Sequence, residues 1–148
     1  ITFDINQVEI KEAIEGYVPK NNRSQVVKKG GVNIVLDAYN ANPTSMKCSI
    51  ESFRDMEGSY KTVILGDMFE LGASSEEEHQ DIIGILENSD FDNCYLVGEE
   101  FFKTNTHFDK FKNFDDLKMF IKETPINNGA ILIKGSRGMA LERVLDII

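Results

Sequence analysis

Val32-Asn33-Ile34-Val35-Leu36, followed at once by Asp37-Ala38-Tyr39-Asn40-Ala41-Asn42-Pro43 (DAYNANP), is the stretch on which the fold turns. The first run is short, apolar and β-branched, and predicts a strand over Val32–Asp37. The second run is mostly polar or backbone-restricting. A chain that only turns a corner usually manages with a glycine or an Asn-Gly pair. Pro43 suits the first turn of a helix, with Thr44 and Ser45 beside it. Two readings stand side by side: an Asx-rich turn that caps the next helix, or a site at the end of a buried strand.

The same alternation continues outward. Residues 44–56 predict a helix with Met46, Ile50 and Phe53 inward, and 62–66 (TVILG) a second strand. A helix follows over 76–88, its apolar side formed by Ile82, Ile83, Ile85 and Leu86. Ser75-x-x-Glu78 at its start has the form of a capping box, and Glu76 and Glu77 suit the helix dipole. Further strands are expected at 93–98 and Ala130–Lys134, and helices at 115–123 and 137–148. The phenylalanine-rich stretch 99–114 fits a short helix plus an edge strand. Ahead of all this, residues 4–18 read as an amphipathic helix, broken by Pro19 and a polar joint through Ser24. That helix is either a lead-in from something upstream or an ordinary N-terminal helix.

Strands of Val, Ile and Leu that each lead into a helix predict a single doubly wound α/β domain. Its sheet is mostly parallel, with helices on both faces. At 148 residues, 41% hydrophobic and 28% charged, the chain has the composition of one globular domain. No apolar run approaches the ~20 residues of a membrane span, and no leader opens the chain, so membrane insertion is not expected and a cytoplasmic location is. A net charge of −9 argues against a nucleic-acid surface but leaves small anions open, because local N–H groups and a few cations hold those. Cys48 and Cys94, outside any CxxC spacing, are expected as buried free thiols. His79 and His107 are isolated, and are expected at the surface or at helix ends rather than on a metal.

In doubly wound sheets ligands sit beyond the carboxyl ends of the strands. Four such ends arise here, and all are polar. The first is DAYNANP. The second is Gly66-Asp67-Met68-Phe69-Glu70-Leu71-Gly72, and the third Gly98-Glu99-Glu100. At the fourth, Lys134-Gly135-Ser136-Arg137-Gly138, two cations, a hydroxyl and glycines meet where the chain leaves a strand, a setting that favours an anion. Neither a G-x-x-x-x-G-K-[ST] loop nor a G-x-G-x-x-G after the first strand is present, and no Ser/His/Asp, Cys/His or zinc arrangement stands out. An anion-ready rim without chemistry of its own suggests half of an active site.

DAYNANP with Thr44-Ser45-Met46, LGDMFELG over 65–72, and Ile133-Lys134-Gly135-Ser136-Arg137-Gly138-Met139 with Glu142-Arg143 together resemble the C-terminal domain of the Mur ligases, particularly those that add D-alanyl-D-alanine. Arg23-Ser24-Gln25 looks like the arginine-bearing joint before that domain, which divides the chain into a joint region over 1–24 and the domain itself over 25–148. The resemblance implies a Rossmann-like fold and a role in peptidoglycan synthesis. There ATP and magnesium activate the carboxylate of UDP-N-acetylmuramoyl-tripeptide as an acyl phosphate, which the amine of D-alanyl-D-alanine attacks. It also implies that the P-loop, the magnesium ligands and the UDP-binding domain belong to central and N-terminal domains not represented in this sequence. The chain is then inactive alone and holds no catalytic or metal-ligating residue of its own. By position, Arg23, Asp37, Tyr39, Asn40 and Asn42 would address ATP. Asp67, Lys134, Ser136 and Arg137 would face the dipeptide or the acyl phosphate. The competing reading is a stand-alone, non-enzymatic α/β module that binds a nucleotide or a phosphosugar. A flavodoxin-like or receiver layout fits poorly, because the receiver's acidic pair and phosphoacceptor strand are not laid out here.

Overall fold

The computed structural model describes residues 8, 9, 11, 12, 16 and 22–148. The helix expected over 4–18 lies largely outside the described residues. From Gln25 onward the elements are β1 (Gln25–Lys29), β2 (Val32–Asp37), α1 (Pro43–Asp55), β3 (Lys61–Gly66), α2 (Ser75–Glu87), β4 (Asn93–Val97), α3 (Glu99–Lys103), β5 (Asp109–Phe111), α4 (Phe114–Glu123) and β6 (Ala130–Lys134). Short 3-10 turns precede α2 at Gly72–Ser74 and close the chain at Arg137–Met139 and Leu141–Asp146. The sheet has six strands in the order β1-β2-β6-β3-β4-β5. Every pairing is parallel except β1 with β2.

The last strand in sequence is therefore inserted between β2 and β3, at the centre of the sheet. All five of its residues are buried. The period-2 pleat sends Ile34, Leu36, Ile64, Ile131 and Ile133 to one face, under α4 and the C-terminal Leu141 and Val144. Val63, Leu65, Leu96 and Leu132 go to the other face, under Met46, Ile50 and Phe53 of α1 and Ile82, Ile83 and Leu86 of α2. A doubly wound, mostly parallel α/β domain is what the strand-and-helix alternation predicts. No described helix is long and apolar enough to cross a membrane.

Several local expectations are corrected. β1 was not anticipated: its QVVKK has only two apolar residues and mostly exposed side chains, as an edge strand can. It forms a hairpin with β2 through Gly30-Gly31, whose φ angles of 55° and 84° suit the left-handed turn that such a two-residue loop needs. The 99–114 stretch, by contrast, is as expected a short helix, α3, and an edge strand, β5, which runs parallel to β4. The helix expected over 137–148 is instead a pair of 3-10 turns, interrupted by Ala140 at φ 48°. Leu141 is wedged there against the sheet: a Cβ on Gly66 would come within 2.7 Å of its Cδ1. A regular α-helical path gives way to that packing. Ser75 does not cap α2. Its hydroxyl donates to Glu100, and the N-cap position, Ser74, makes no side-chain capping bond.

Of the two cysteines only Cys94 is buried, whereas Cys48 is exposed on α1. Burial pushes the Cys94 thiol up to about 12, so its reactive thiolate is suppressed at neutral pH. A colourimetric thiol titration of the native chain is expected to report one rapidly reacting thiol, lost in Cys48→Ser. The second thiol is expected to react only after denaturant is added.

Candidate functional site

In the sheet register Asp37 at the end of β2 lies directly beside Lys134 at the end of β6. Lys134 Nζ donates to Asp37 Oδ2 at 2.6 Å and to the Asn40 carbonyl at 3.1 Å. Only 1% of the lysine side chain is exposed, against 16% of the aspartate. The same carboxylate accepts the Ser24 backbone N–H on Oδ1 (3.1 Å) and the Ser49 hydroxyl on Oδ2 (2.9 Å). One acid thus ties together the segment ahead of β1, the strand end, the central strand and the first helix.

Beyond Asp37 the DAYNANP loop divides its labour. Asn42 is the N-cap of α1: its Oδ1 accepts the Ser45 N–H at 2.8 Å, while Ser45 Oγ accepts the Asn42 N–H at 3.1 Å. That closes a capping box, and Pro43 fills the first turn. Asn40 accepts the Ala41 N–H on its side-chain Oδ1 at 2.9 Å, yet the residue is exposed. Tyr39 is the remaining group. The Arg23 guanidinium carbon lies 3.9 Å from its ring centroid and that of Arg137 lies 5.5 Å away. Arg23 beside the phenol, and Arg137 after it, hold the Tyr39 hydroxyl below its ordinary ionisation range.

The second and fourth strand ends are stitched together. Ser136 N–H donates to the Asp67 carbonyl at 3.1 Å, and Ser136 Oγ accepts the Phe69 N–H at 2.8 Å. Phe69 then packs on Gly138, where a Cβ would lie 2.6 Å from the ring. The Asp67 carboxylate turns away from this rim. It accepts the backbone N–H groups of Glu100 and Phe101, both at 2.9 Å, and so anchors the start of α3. Burial nonetheless pushes its carboxyl above the usual carboxylate range, the two N–H bonds opposing that rise. Gly98 makes room for it: at φ 124°, a Cβ there would meet the carboxylate at 2.2–2.5 Å.

His79 is buried, not at the surface or a helix end as the sequence suggested. Its Nε2 accepts the Met68 N–H at 3.0 Å and its Nδ1 lies 2.7 Å from the Ser75 carbonyl, which places its proton on Nδ1. The 3.8 Å approach to Asp67 therefore needs no charge on the ring. The signal was present in the spacing, because His79 precedes Ile82, Ile83 and Leu86 on one helical face. Its function is to hold the 67–69 loop in place.

Of the nine residues singled out from sequence, Arg23, Asp37, Tyr39, Lys134 and Arg137 form one cluster at the β2 and β6 ends. Asn40 flanks it through its carbonyl. Asn42 faces α1, and Asp67 and Ser136 lock the neighbouring loops. A recess of about 450 Å³ opens beside them, lined by Asp67, Phe69, Gly98, Lys112, Gly138 and Arg143 among others. A larger cleft of about 610 Å³ runs along the outer sides of α1 and α2 and is lined by mixed charges. It is not part of the strand-end cluster.

A mostly parallel sheet with a buried Lys–Asp tie and exposed arginines at its carboxyl end defines a doubly wound α/β domain, and the relationship to known sequences names the family. The chain belongs to the Mur ligase family: the family described as "Mur ligase, glutamate ligase domain" matches residues 22–137. It is 32% identical over 158 aligned residues to the UDP-N-acetylmuramoyl-tripeptide--D-alanyl-D-alanine ligase of Bacillus subtilis, an alignment covering 99% of this chain and 35% of that protein. The Escherichia coli protein of the same name is 35% identical over 74% of the chain and 25% of its own length. Among solved structures, a MurF ligase from Thermotoga maritima in complex with ADP superposes with a TM-score of 0.76 at 30% identity, over 89% of this chain and 31% of that one. MurF from Acinetobacter baumannii gives a TM-score of 0.80 at 26% identity, over 96% and 33%. The chain thus spans a quarter to about a third of the length of these relatives.

The Lys134–Asp37 contact makes a direct stability prediction. Lys134→Met strands a largely buried carboxylate and is expected to lower unfolding free energy by roughly 3 kcal/mol. Adding Asp37→Asn to that variant is expected to recover a good part of the loss. Urea unfolding of the two single variants and the double variant measures the coupling.

Proposed function

We propose that this chain is the C-terminal part of an ATP-dependent ligase that adds D-alanyl-D-alanine to UDP-N-acetylmuramoyl-tripeptide in peptidoglycan synthesis. The observation that carries the proposal is the rim. Lys134 is buried there as a support, Arg23 and Arg137 are exposed with no carboxylate at ion-pair distance among the described residues, and the chain aligns over nearly its whole length with a ligase of that name. On this reading residues from the joint onward, about 25–148, close as a lid over a nucleotide held mainly by central and N-terminal domains of the same protein. ATP, with magnesium, supplies the phosphoryl group that activates the tripeptide carboxylate.

The described residues suit such a ligand. Arg23, Tyr39 and Asn40 are the parts of the first wall with exposed or half-exposed side chains, and Asp37 and Asn42 hold that wall in shape. Arg137 is the exposed cation of the fourth strand end, while Lys134, Ser136 and Asp67 fix the loops that present it and that border the recess where the dipeptide would enter. Guanidiniums bind phosphoryl and carboxylate oxygens in forked pairs, so these positions favour anionic groups. Lid closure of this kind aligns the amine with the activated carboxylate and keeps water away from it. Such an enzyme works in the cytoplasm, where its nucleotide substrates are.

The 148-residue chain alone is expected to release no phosphate from ATP, whereas the full protein is expected to form the amide product, followed by mass spectrometry, only with the dipeptide present. In the full protein Arg137→Ala is expected to lower kcat/KM at least tenfold. Being exposed, it should shift stability by no more than about 0.5 kcal/mol. ATP turnover by the isolated chain, or unchanged kinetics in Arg137→Ala, contradicts the proposal.

A further inference from the structure

The family resemblance implies one ligand for Arg23 and another for Arg137, yet the structure brings both to the same ring. Arg23 comes from the joint ahead of β1 and Arg137 from the turn after β6, more than a hundred residues later. Both guanidiniums fall within the ~6 Å at which a cation feels an aromatic face. Like charges repel, and a chain with 25 acidic residues could easily have set a carboxylate between them. Among the described residues neither guanidinium has one within ion-pair distance. Tyr39 is what holds them together, and its own position is set by Asp37 two residues earlier, which is fixed by Lys134, Ser24 and Ser49.

We propose that Arg23, Tyr39 and Arg137 form a single clamp for one phosphoryl-type anion. Both arginines bind the same group, and Tyr39 is a positioning residue whose ring sets their spacing. Two forked donors brought to one ring from different segments can together surround a tetrahedral anion, which a single arginine cannot. The clamp also ties the joint to the strand-end rim, so that anion binding and the placement of the joint are one event. Identification of the anion with a phosphate of ATP rests on the ligase reading above. The clamp itself does not.

The test uses inorganic pyrophosphate added to the 148-residue chain, followed by NMR of the arginine Nε–H groups and a ring-labelled Tyr39. Arg23, Arg137 and Tyr39 are expected to respond with one common midpoint. Arg23→Gln and Arg137→Gln, both at exposed positions, are each expected to weaken binding about tenfold. Tyr39→Leu should weaken it to a similar degree, whereas Tyr39→Phe, which keeps the ring, should stay within about threefold. Without ligand, the Tyr39 phenol should titrate at higher pH in Arg23→Gln than in the parent chain, which reports the contact, and pyrophosphate should raise it in the parent chain, which a merely structural contact would not do. Separate midpoints for the two arginines, a response from only one of them, or no response from either overturns the clamp. In the full protein, Tyr39→Leu is expected to raise KM for ATP with Tyr39→Phe restoring it. If pyrophosphate binding behaves as stated but KM for ATP does not move, the clamp stands and its assignment to ATP fails.

Discussion

One buried ammonium organises the working end of this domain. Lys134 ends the central strand with its side chain almost wholly out of water, and its charge is tolerable there only because Asp37 lies beside it in the sheet register. Pairs of this kind are weak evidence for net stability, since desolvating both ions offsets much of their attraction. What the pair supplies is position. With Asp37 committed to Lys134, Ser24 and Ser49, the chain leaving β2 has one path open to it. That path places Tyr39 at the rim and gives Asn42 the cap of α1.

The neighbouring strand ends obey a second constraint, close backbone approach. Gly66 and Gly135 let Leu141 press onto the sheet, Gly98 leaves room for the Asp67 carboxylate, and Gly138 leaves room for the Phe69 ring. His79 pins the same loop from beneath with both ring nitrogens in use. The rim therefore consists of two kinds of residue. Lys134, Asp37, Asp67, Ser136, Asn42 and His79 are partners of the chain itself. Arg23, Arg137 and Asn40 carry exposed side chains, and they are the ones we propose to meet a ligand.

Much of this was legible in the sequence, because burial leaves a strong trace. Strands covered on both faces must be Val-, Ile- and Leu-rich, so β2, β3, β4 and β6 stood out, as did the amphipathic helices between them. An edge strand carries no such demand, and β1 passed unnoticed despite the Gly30-Gly31 turn that marks its hairpin. The C-terminal turns looked helical because their apolar residues follow a helical spacing, while the wedge that breaks them depends on Gly66 and Gly135 far away in sequence. Exposure of Cys48 and burial of His79 were decided by which helical face each occupies, and a residue judged singly hides that. The strand-end motifs were readable as a set; of the two readings of DAYNANP the helix cap is seen at Asn42, while the site reading is the one proposed above, which the contact of Tyr39 with the arginines supports. Side-chain partners across long separations, such as Tyr39 with Arg137, have no local trace at all.

The central claim is that this domain forms one wall of a cleft whose other wall lies elsewhere in the protein, and hydrogen exchange tests it most directly. Mass-spectrometric exchange on the full protein should be compared without ligands and with ATP, the tripeptide substrate and D-alanyl-D-alanine together. Protection is expected to rise in segments 23–43, 66–72 and 134–139, while the cores of β3 and β6 and the outer helices change little. If the ligands protect only the remainder of the protein and leave those three segments exchanging as before, the rim is not a wall of the active site.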